Sequence, residues 1–231
     1  MIVRRHMSSI KALLEAIEEG DVPTVRRIVT ERPDLLEATD EYEFTPLMRA
    51  SSSCTRTVPV IEALLEAGAD VNHQTEEGYT ALHCAIDVNG EANDNTEEVI
   101  GVLVAAGADL NARQHYGWTP LLKAVVEGTA AEVKALLAAG ADPNETMPFN
   151  TLPEFNAGRT TLMGAITNPD ADVIIEALLG AGADPLRRDA NGMTFFDYAD
   201  LLQREYAGSE FAEKVRRCAE VARIRTNDRH A

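Results

Sequence analysis

The residues that could perform chemistry are scattered along this chain. The histidines form no pair at one-turn helical spacing, and no cysteine or carboxylate accompanies them at metal-ligand spacing. No nucleophile motif or glycine-rich phosphate loop is present. Three cysteines lack paired spacing and are expected to be small buried thiols in a reducing compartment. The sequence therefore predicts neither catalysis nor a cofactor. The residues concerned are His6, His73, His83, His115, His230, Cys54, Cys84 and Cys218.

One segment has the composition of a calcium loop. Residues 87–95 read Asp-Val-Asn-Gly-Glu-Ala-Asn-Asp-Asn and are rich in carboxylates and amides. Their spacing does not match the ligand order of an EF-hand, and the closing glutamate is not in register. We therefore expect a polar surface loop here and no metal site.

The charge of the chain is strongly negative and uneven. The formal net charge is −17, and between Thr57 and Ala112 there are eleven acidic residues but no Lys or Arg. The last 21 residues instead carry six basic and three acidic side chains. Such a field argues against nucleic acid or an anionic membrane as a partner and favours a protein with a basic surface. Solubility alone is the competing interpretation.

The sequence shows no sign of a membrane span or of secretion. No run reaches the roughly 20 apolar residues that cross a bilayer. Residues 1–7 carry charges but no apolar core follows them, so they do not read as a signal peptide. A cytoplasmic location is therefore the default expectation.

One pattern recurs through most of the chain. The central copy opens at Thr119-Pro120-Leu121-Leu122 and closes at Leu136-Leu137-Ala138-Ala139-Gly140-Ala141-Asp142. A fixed period of 20–50 residues determines the architecture, so it takes priority over other signals. The closing element returns at Leu64-Leu65, Leu103 and Leu178-Leu179, each followed by Gly-Ala-Asp, and the opening element returns at Thr45-Pro46-Leu47, Thr80-Ala81-Leu82, Thr160-Thr161-Leu162 and Thr194-Phe195-Phe196.

This pattern resembles the ankyrin repeat over roughly residues 8 to 205. The resemblance implies an all-α fold, an α-solenoid of stacked helix-turn-helix repeats with short β-turn fingers. The residue types agree with it: threonine caps a helix start, proline fits the first turn, and glycine closes a helix in the left-handed conformation. Thr129 and Glu132 have capping-box spacing, and Gly140 should end that helix. No repeat can bury its apolar face alone, so neighbours must stack.

The repeats divide the chain as follows. Residues 1–7 are predicted to be a disordered lead, 8–39 an N-terminal capping repeat, 40–188 four central repeats, and 189–231 a degenerate repeat with a C-terminal cap helix. Insertions fall near 87–95 and 145–156, and we expect the second to be an ordered excursion. Glu43 stands where the family has glycine, which puts that turn in doubt. The basic tail is interpreted as a solvated helix face rather than a nucleic-acid site.

The resemblance also implies where a partner binds. Recognition in ankyrin arrays uses the turn tips before each Thr-Pro and the adjacent end of the first helix, which line a concave face. Aromatic residues there are expected to anchor a partner and acidic residues to steer it; alternatively the rings pack on the adjacent turn and stiffen the array. His83 matches a structural histidine. The predicted partner-binding residues are Glu41, Tyr42, Phe44, Glu76, Glu77, Tyr79, Asp87, His115, Tyr116, Trp118, Glu127 and Arg159.

The sequence thus predicts a non-catalytic protein-binding module with no metal and no cofactor. Its partner is expected to be another protein with a basic surface, neither nucleic acid nor membrane, and the chain is taken as a monomer by default. A sharper alternative is an immunity or antitoxin-type inhibitor of a basic effector enzyme. A structural spacer, or an enzyme using the loop at 145–156, are the remaining alternatives.

Overall fold

The computed structural model describes residues 2–52, 58–86, 95–147 and 158–228, with the backbone alone for residues 2–9 and 227–228. The described residues up to His115 form one compact unit, and those from Tyr116 onward form a second. In these ranges the chain consists of helices and turns, with one isolated antiparallel bridge between Thr146 and Thr160.

The first unit is built from paired helices in two layers. Helices α1, α3 and α5 stack on one another, and so do α2, α4 and α6, while each odd helix packs against the even helix that follows it. A short 3₁₀ turn at Pro33–Leu35 follows α2. The helices are α1 (Ile2–Glu18), α2 (Val22–Glu31), α3 (Pro46–Ser52), α4 (Val58–Glu66), α5 (Ala81–Cys84) and α6 (Thr96–Ala105).

The second unit repeats this arrangement. One layer contains α7, α9 and α11, the other contains α8, α10 and α12, and each consecutive pair packs together. The predicted all-α solenoid of stacked helix pairs is therefore confirmed in each unit. The helices are α7 (Pro120–Glu127), α8 (Ala130–Ala138), α9 (Thr161–Ala165), α10 (Ala171–Gly180), α11 (Phe195–Glu205) and α12 (Glu210–Asp228).

The core of each unit is made of aliphatic side chains that recur at the same position of the repeat. Burying a leucine contributes roughly 1.5–3 kcal/mol, so the stacked layers gain most of their stability from these contacts. Phe195 on α11 is a large fully buried exception. The buried leucines include Leu47, Leu64, Leu82 and Leu103 in the first unit and Leu121, Leu136, Leu162 and Leu178 in the second.

Threonine side chains begin the helices as predicted. The hydroxyl of Thr119 accepts a hydrogen bond from the Leu122 amide at 3.2 Å, which satisfies a donor that the helix leaves unpaired. Thr129 and Glu132 form the predicted capping box, in which the Thr129 amide donates to Glu132 Oε2 at 2.8 Å. Four further threonines begin helices in the same way: Thr45, which precedes Pro46, and Thr80, Thr160 and Thr194.

The Gly-Ala-Asp motif ends the second helix of a repeat. Gly140 has a φ of 99°, and the amides of Gly140 and Ala141 donate to the carbonyls of Leu137 and Leu136 at 3.1 and 3.0 Å. This is the geometry in which glycine closes a helix, so the prediction for Gly140 is confirmed. Asp142 then accepts a hydrogen bond from the Asn144 amide at 2.8 Å and turns the chain.

The asparagine after this motif joins one repeat to the next. Asn72 donates to the Gly107 carbonyl at 2.9 Å and accepts from the Asp109 amide at 2.8 Å. In the second unit, Asn144 bonds the Gly182 carbonyl at 3.2 Å and the Asp184 amide at 2.8 Å. The recurrence of asparagine therefore has a physical reason, because its amide pairs both a donor and an acceptor of the following turn.

The N-terminal segment differs from the prediction. Residues 2–7 belong to α1 (Ile2–Glu18) rather than to a disordered lead. Residues 2–9 contain no glycine or proline to stop a helix, and each residue added to an existing helix gains a hydrogen bond. The insertions near 87–95 and 145–156 fall largely outside the described residues, so those predictions stay predictions.

Helix α12 uses its basic residues within the fold. Lys214 donates to the carbonyls of Asn168 and Pro169, the latter at 3.2 Å. Arg217 and Arg225 lie 3.5 and 3.0 Å from Asp172 and Glu176 on α10. These exposed pairs each contribute little energy, but they place the positive charge of the tail against acidic residues of the same unit. This arrangement agrees with a solvated helix face.

Asn168 is a buried polar side chain of the second unit that bonds several main-chain groups. It is 1% exposed, and its Nδ2 donates to the carbonyls of Val125 and Gly128 at 3.1 and 2.9 Å. Its Oδ1 accepts from the Asp170 amide at 2.8 Å. One amide therefore fixes the end of α7 against the start of α10.

We predict that Asn168→Ala lowers the free energy of unfolding of the second unit by roughly 2–3 kcal/mol, because it leaves buried carbonyls without a donor. Asn144→Ala is the matched control: it removes a similar pair of hydrogen bonds at a partly exposed site. Water can replace them there, so its effect should be about 1 kcal/mol. Chemical denaturation of both variants tests this, and equal losses would contradict it.

Candidate functional site

The candidate residues of the first unit lie on the turns that precede α3 and α5. The first tip, residues 40–44, is closed by the Asp40 amide donating to the Phe44 carbonyl at 3.1 Å. The second tip, residues 75–79, is closed in the same way by Thr75 and Tyr79, also at 3.1 Å. The two turns therefore share one backbone conformation, with the same hydrogen bond between their first and last residues.

Asp40 organises the first tip. Its Oδ1 accepts hydrogen bonds from the amides of Tyr42 and Phe44 at 2.8 and 3.0 Å, and its Oδ2 pairs with the Arg49 guanidinium. That guanidinium also lies 5.1 Å from the ring centroids of both Tyr42 and Phe44, within the range of a cation–π interaction. Tyr42 remains 64% exposed, whereas Phe44 is half-buried.

The second tip exposes charge and holds its aromatic residue closer to the core. Glu76 and Glu77 are exposed, and Tyr79 is half-buried with its ring edge-to-face against His83 at 5.9 Å. His83 is fully buried, and its Nδ1 lies 2.9 Å from the Thr80 hydroxyl. The interpretation of His83 as a structural histidine is therefore confirmed.

Hydrogen bonds link neighbouring tips of the first unit. The Glu76 amide donates to Glu43 Oε2 at 3.0 Å, and the His115 amide donates to the Glu77 carbonyl at 2.6 Å. The predicted residues on these turns are thereby brought to one edge of the unit. We call this edge the first-unit tip surface; it consists of Glu41, Tyr42, Glu76, Glu77, Tyr79 and His115.

Trp118 is not available as an anchor, which corrects the sequence prediction. It is only 4% exposed and packs with Leu122, Val126 and Met147 in the core of the second unit. Met147 comes from the segment after α8 and also lies against Gly164, where an added Cβ would force its terminal methyl group to shift. Trp118 therefore fits the alternative interpretation, in which the aromatic rings of the tips pack within the array instead of anchoring a partner. Tyr116, whose ring lies 6.4 Å from Trp118, is 41% exposed.

Arg159 is also internal, contrary to the prediction. It is 8% exposed, and its guanidinium lies 4.3 Å from the ring centroid of Tyr198 on α11. Its carbonyl accepts from the Met147 amide at 2.8 Å, next to the bridge between Thr146 and Thr160. Arg159 is buried because its backbone pairs with residues 145–147, and its position in the repeat did not predict this pairing.

The remaining predictions divide between exposed and undescribed positions. Glu127 is exposed at the end of α7, with Oε2 3.9 Å from the Lys123 ammonium. Asp87 lies outside the described residues. In the second unit, Tyr116 and Glu127 are thus the predicted residues that reach the surface.

Sequence reasoning missed the residues that support Tyr42. Asp40 carries a recognisable signal, because an aspartate that opens a turn often accepts its amides, and Asp189 does the same for Asn191 and Met193 at 2.8 Å. Arg49 carries no such signal, since only the fold shows that its guanidinium reaches back over the tip.

The described residues show no arrangement for metal or nucleophilic chemistry. They contain no group of three or more His, Cys, Asp or Glu that could hold a metal ion. Burial and the hydrogen bond from Cys218 Sγ to Asp172 raise the pKa of this thiol to about 12, so it stays protonated at neutral pH. Cys84 is a half-buried cysteine. No helix in the described part of the chain is long and apolar enough to cross a bilayer.

Comparison with known proteins supports the repeat architecture. A family model for ankyrin repeats in three copies matches residues 13–113, 57–147 and 90–189. The crystal structure of an ankyrin repeat domain from Acinetobacter baumannii is 26% identical, with a TM-score of 0.65 over 90% of this chain and 97% of that one. The RelA-associated inhibitor of Mus musculus is 33% identical over 89 residues, which are 38% of this chain and 10% of the mouse protein. The match thus spans about a tenth of that relative's length.

We predict that Trp118→Ala destabilises the second unit by about 3–5 kcal/mol, as expected for a truncated core aromatic. Tyr116→Ala, two residues away, should cost less than about 1 kcal/mol because Tyr116 is 41% exposed and lies outside the core. Thermal unfolding followed by circular dichroism distinguishes the two variants. If Trp118→Ala melted like the wild-type chain, the indole would not be part of the core.

Proposed function

Because the chain belongs to the ankyrin repeat family, whose repeats are typically protein-binding modules, we propose that it is a non-catalytic module that binds another protein. In the first unit, we assign the contacts with that partner to the first-unit tip surface. We further propose a cytoplasmic location and a monomeric state.

The observation that carries this proposal is the state of Tyr42. Tyr42 is 64% exposed, so its ring has little apolar contact with the core. Its backbone amide nevertheless donates to Asp40, and the Arg49 guanidinium lies over part of its ring. A large side chain that is both exposed and held in place loses little conformational entropy when a partner covers it. Tyrosines in this condition are typical binding hot spots.

Charge defines the kind of partner. Glu41, Glu76 and Glu77 are exposed around Tyr42 and Tyr79, on a chain whose net charge is −17. The basic residues Lys214, Arg217 and Arg225 of α12 contact groups of their own unit. Acidic surfaces of this kind accelerate association with basic partners. We therefore propose a partner with a basic surface.

The second unit is proposed to contribute its own contact. Tyr116 is 41% exposed on the turn before α7, and Glu127 is exposed at the far end of the same helix. They repeat the combination of aromatic ring and carboxylate found in the first unit. Trp118 and Arg159 are left out of the proposed site, since the fold buries them.

An inhibitor is the second candidate function. It is favoured by the name of the mouse relative, an inhibitor, and by the acidic charge, which suits blocking a basic effector enzyme. A short match of 89 residues does not carry the activity of a much longer protein. Loss of the captured partner's own enzymatic activity on binding would distinguish inhibition from scaffolding. A structural spacer, by contrast, would capture no partner.

We predict that Tyr42→Ala weakens binding to a partner captured from the native source by about 30-fold or more, the effect of losing a hot-spot tyrosine. Its effect on stability should be small, because the ring is exposed. Tyr206→Ala is the matched control, since Tyr206 is 46% exposed but lies at the end of α11 and belongs to neither the first nor the second tip. Equal affinity of both variants would remove Tyr42 from the site.

Replacing Glu41, Glu76 and Glu77 together by Gln should lower the association rate with that partner by about tenfold at low salt, with little change near 0.5 M salt. The control replaces Glu62, Glu205 and Glu220, which are exposed carboxylates on helices. It changes the net charge equally but leaves the tips intact. Surface plasmon resonance over a salt series gives both rates. Identical slopes for the two triple variants would show that total charge, not the tip surface, steers the partner.

A further inference from the structure

We infer that Glu43 is a positioning residue that joins the first and second tips into one ordered binding surface. This inference rests on the proposed protein-binding function of the first-unit tip surface. It identifies a role for a residue that makes the first turn depart from the repeat pattern.

Glu43 adopts a backbone conformation that normally belongs to glycine. Its φ is 63°, and it is the one non-glycine residue with positive φ in the described part of the chain. The corresponding residues of other tips are Gly78 and Gly192, with φ of 79° and 75°. A residue with a Cβ pays a conformational cost in this region. Such a cost is often found at functional positions.

The second tip shows what a glycine at this position permits. A Cβ built on Gly78 would lie 2.8 Å from the Arg113 carbonyl oxygen, so the neighbouring backbone approaches directly. At that junction the His115 amide donates to the Glu77 carbonyl at 2.6 Å, a hydrogen bond between two main-chain groups.

At the first tip a side chain replaces this main-chain acceptor. Glu76 occupies the same position in its turn as His115 does in the next, one residue after the turn begins. Its amide donates to Glu43 Oε2 at 3.0 Å. The Glu43 carboxylate therefore has the role at this junction that the Glu77 carbonyl has at the next one. Hydrogen bonds from amides to carboxylates are stronger than those to neutral acceptors.

This bond connects the two parts of the site. On one side, Glu43 adjoins Tyr42, whose amide and ring are held by Asp40 and Arg49. On the other side, Glu43 fixes the backbone of Glu76, next to the exposed Glu77. Ordering both tips before binding reduces the entropy that a partner must overcome. Glu43 itself also adds a negative charge between them.

Three variants separate the possible roles of Glu43. Glu43→Gln keeps an acceptor oxygen and the left-handed strain but loses the charge. Glu43→Ala keeps the strain and loses the acceptor. Glu43→Gly loses the acceptor and relieves the strain, so it should melt higher than Glu43→Ala. Gln, Ala and Gly all remove the same charge, so differences among them report the acceptor and the strain.

The experiment uses the full ¹⁵N-labelled chain. Amide hydrogen exchange at Glu76 should be about fivefold faster in Glu43→Gly and Glu43→Ala than in the wild-type chain, the effect of one lost hydrogen bond, and nearly unchanged in Glu43→Gln. A synthetic decalysine peptide, titrated at low ionic strength, then probes the surface. Shifts at the first-unit tip surface should show weaker binding to Glu43→Gly than to Glu43→Gln.

Each other outcome counts against the inference in a different way. Unchanged Glu76 exchange in Glu43→Gly would show that the link does not order the second tip. Faster exchange with equal affinity of Glu43→Gly and Glu43→Gln would show that the order does not serve binding. A melting temperature that falls in parallel with affinity across the variants would indicate a merely structural role. Absence of decalysine binding to the wild-type chain would overturn the proposed acidic surface itself, and this result does not depend on Glu76 exchange.

Discussion

The stacking of amphipathic helix pairs is the constraint on which the structure depends. A helix pair such as α3 and α4 has apolar residues on faces that it cannot bury by itself, and Leu47 and Leu64 are fully buried only because neighbouring pairs cover them. The same requirement applies to α8 and α10 in the second unit. Stability therefore comes from contacts between copies of the repeat, and each copy must present the same spacing of helices.

Polar groups keep these copies in register. Asn72 and Asn144 each bond a carbonyl and an amide of the following turn. The buried Asn168 bonds a carbonyl at the end of α7 and an amide at the start of α10. Such bonds satisfy main-chain groups that the turns leave unpaired. At the first tip, Asp40 and Arg49 hold the exposed Tyr42 in a comparable way. The scaffold thus supports the recognition that we propose at its edge.

The parts of the fold that local chemistry controls could be predicted from the sequence. The capping box at Thr129, the helix end at Gly140 and the structural role of His83 depend on residues within a few positions of each other. The candidate site was predictable as a set of turns but not residue by residue. Trp118 and Arg159 occupy tip positions in the repeat, yet Met147 and Tyr198 cover them from segments far along the chain.

The sequence by itself determined the repeat, the helix boundaries at their caps, the aliphatic core and the acidic charge, because each of these follows from residue type and short-range spacing. Only the tertiary structure decided which tip residues face outward. Exposure depends on contacts between segments that no periodicity specifies, such as Arg49 over Tyr42 or the Glu43 carboxylate on the Glu76 amide. A glutamate in a glycine position signals only a doubtful turn in the sequence. In the fold, its side chain takes the place of a main-chain acceptor, since the neighbouring turn lies within its reach.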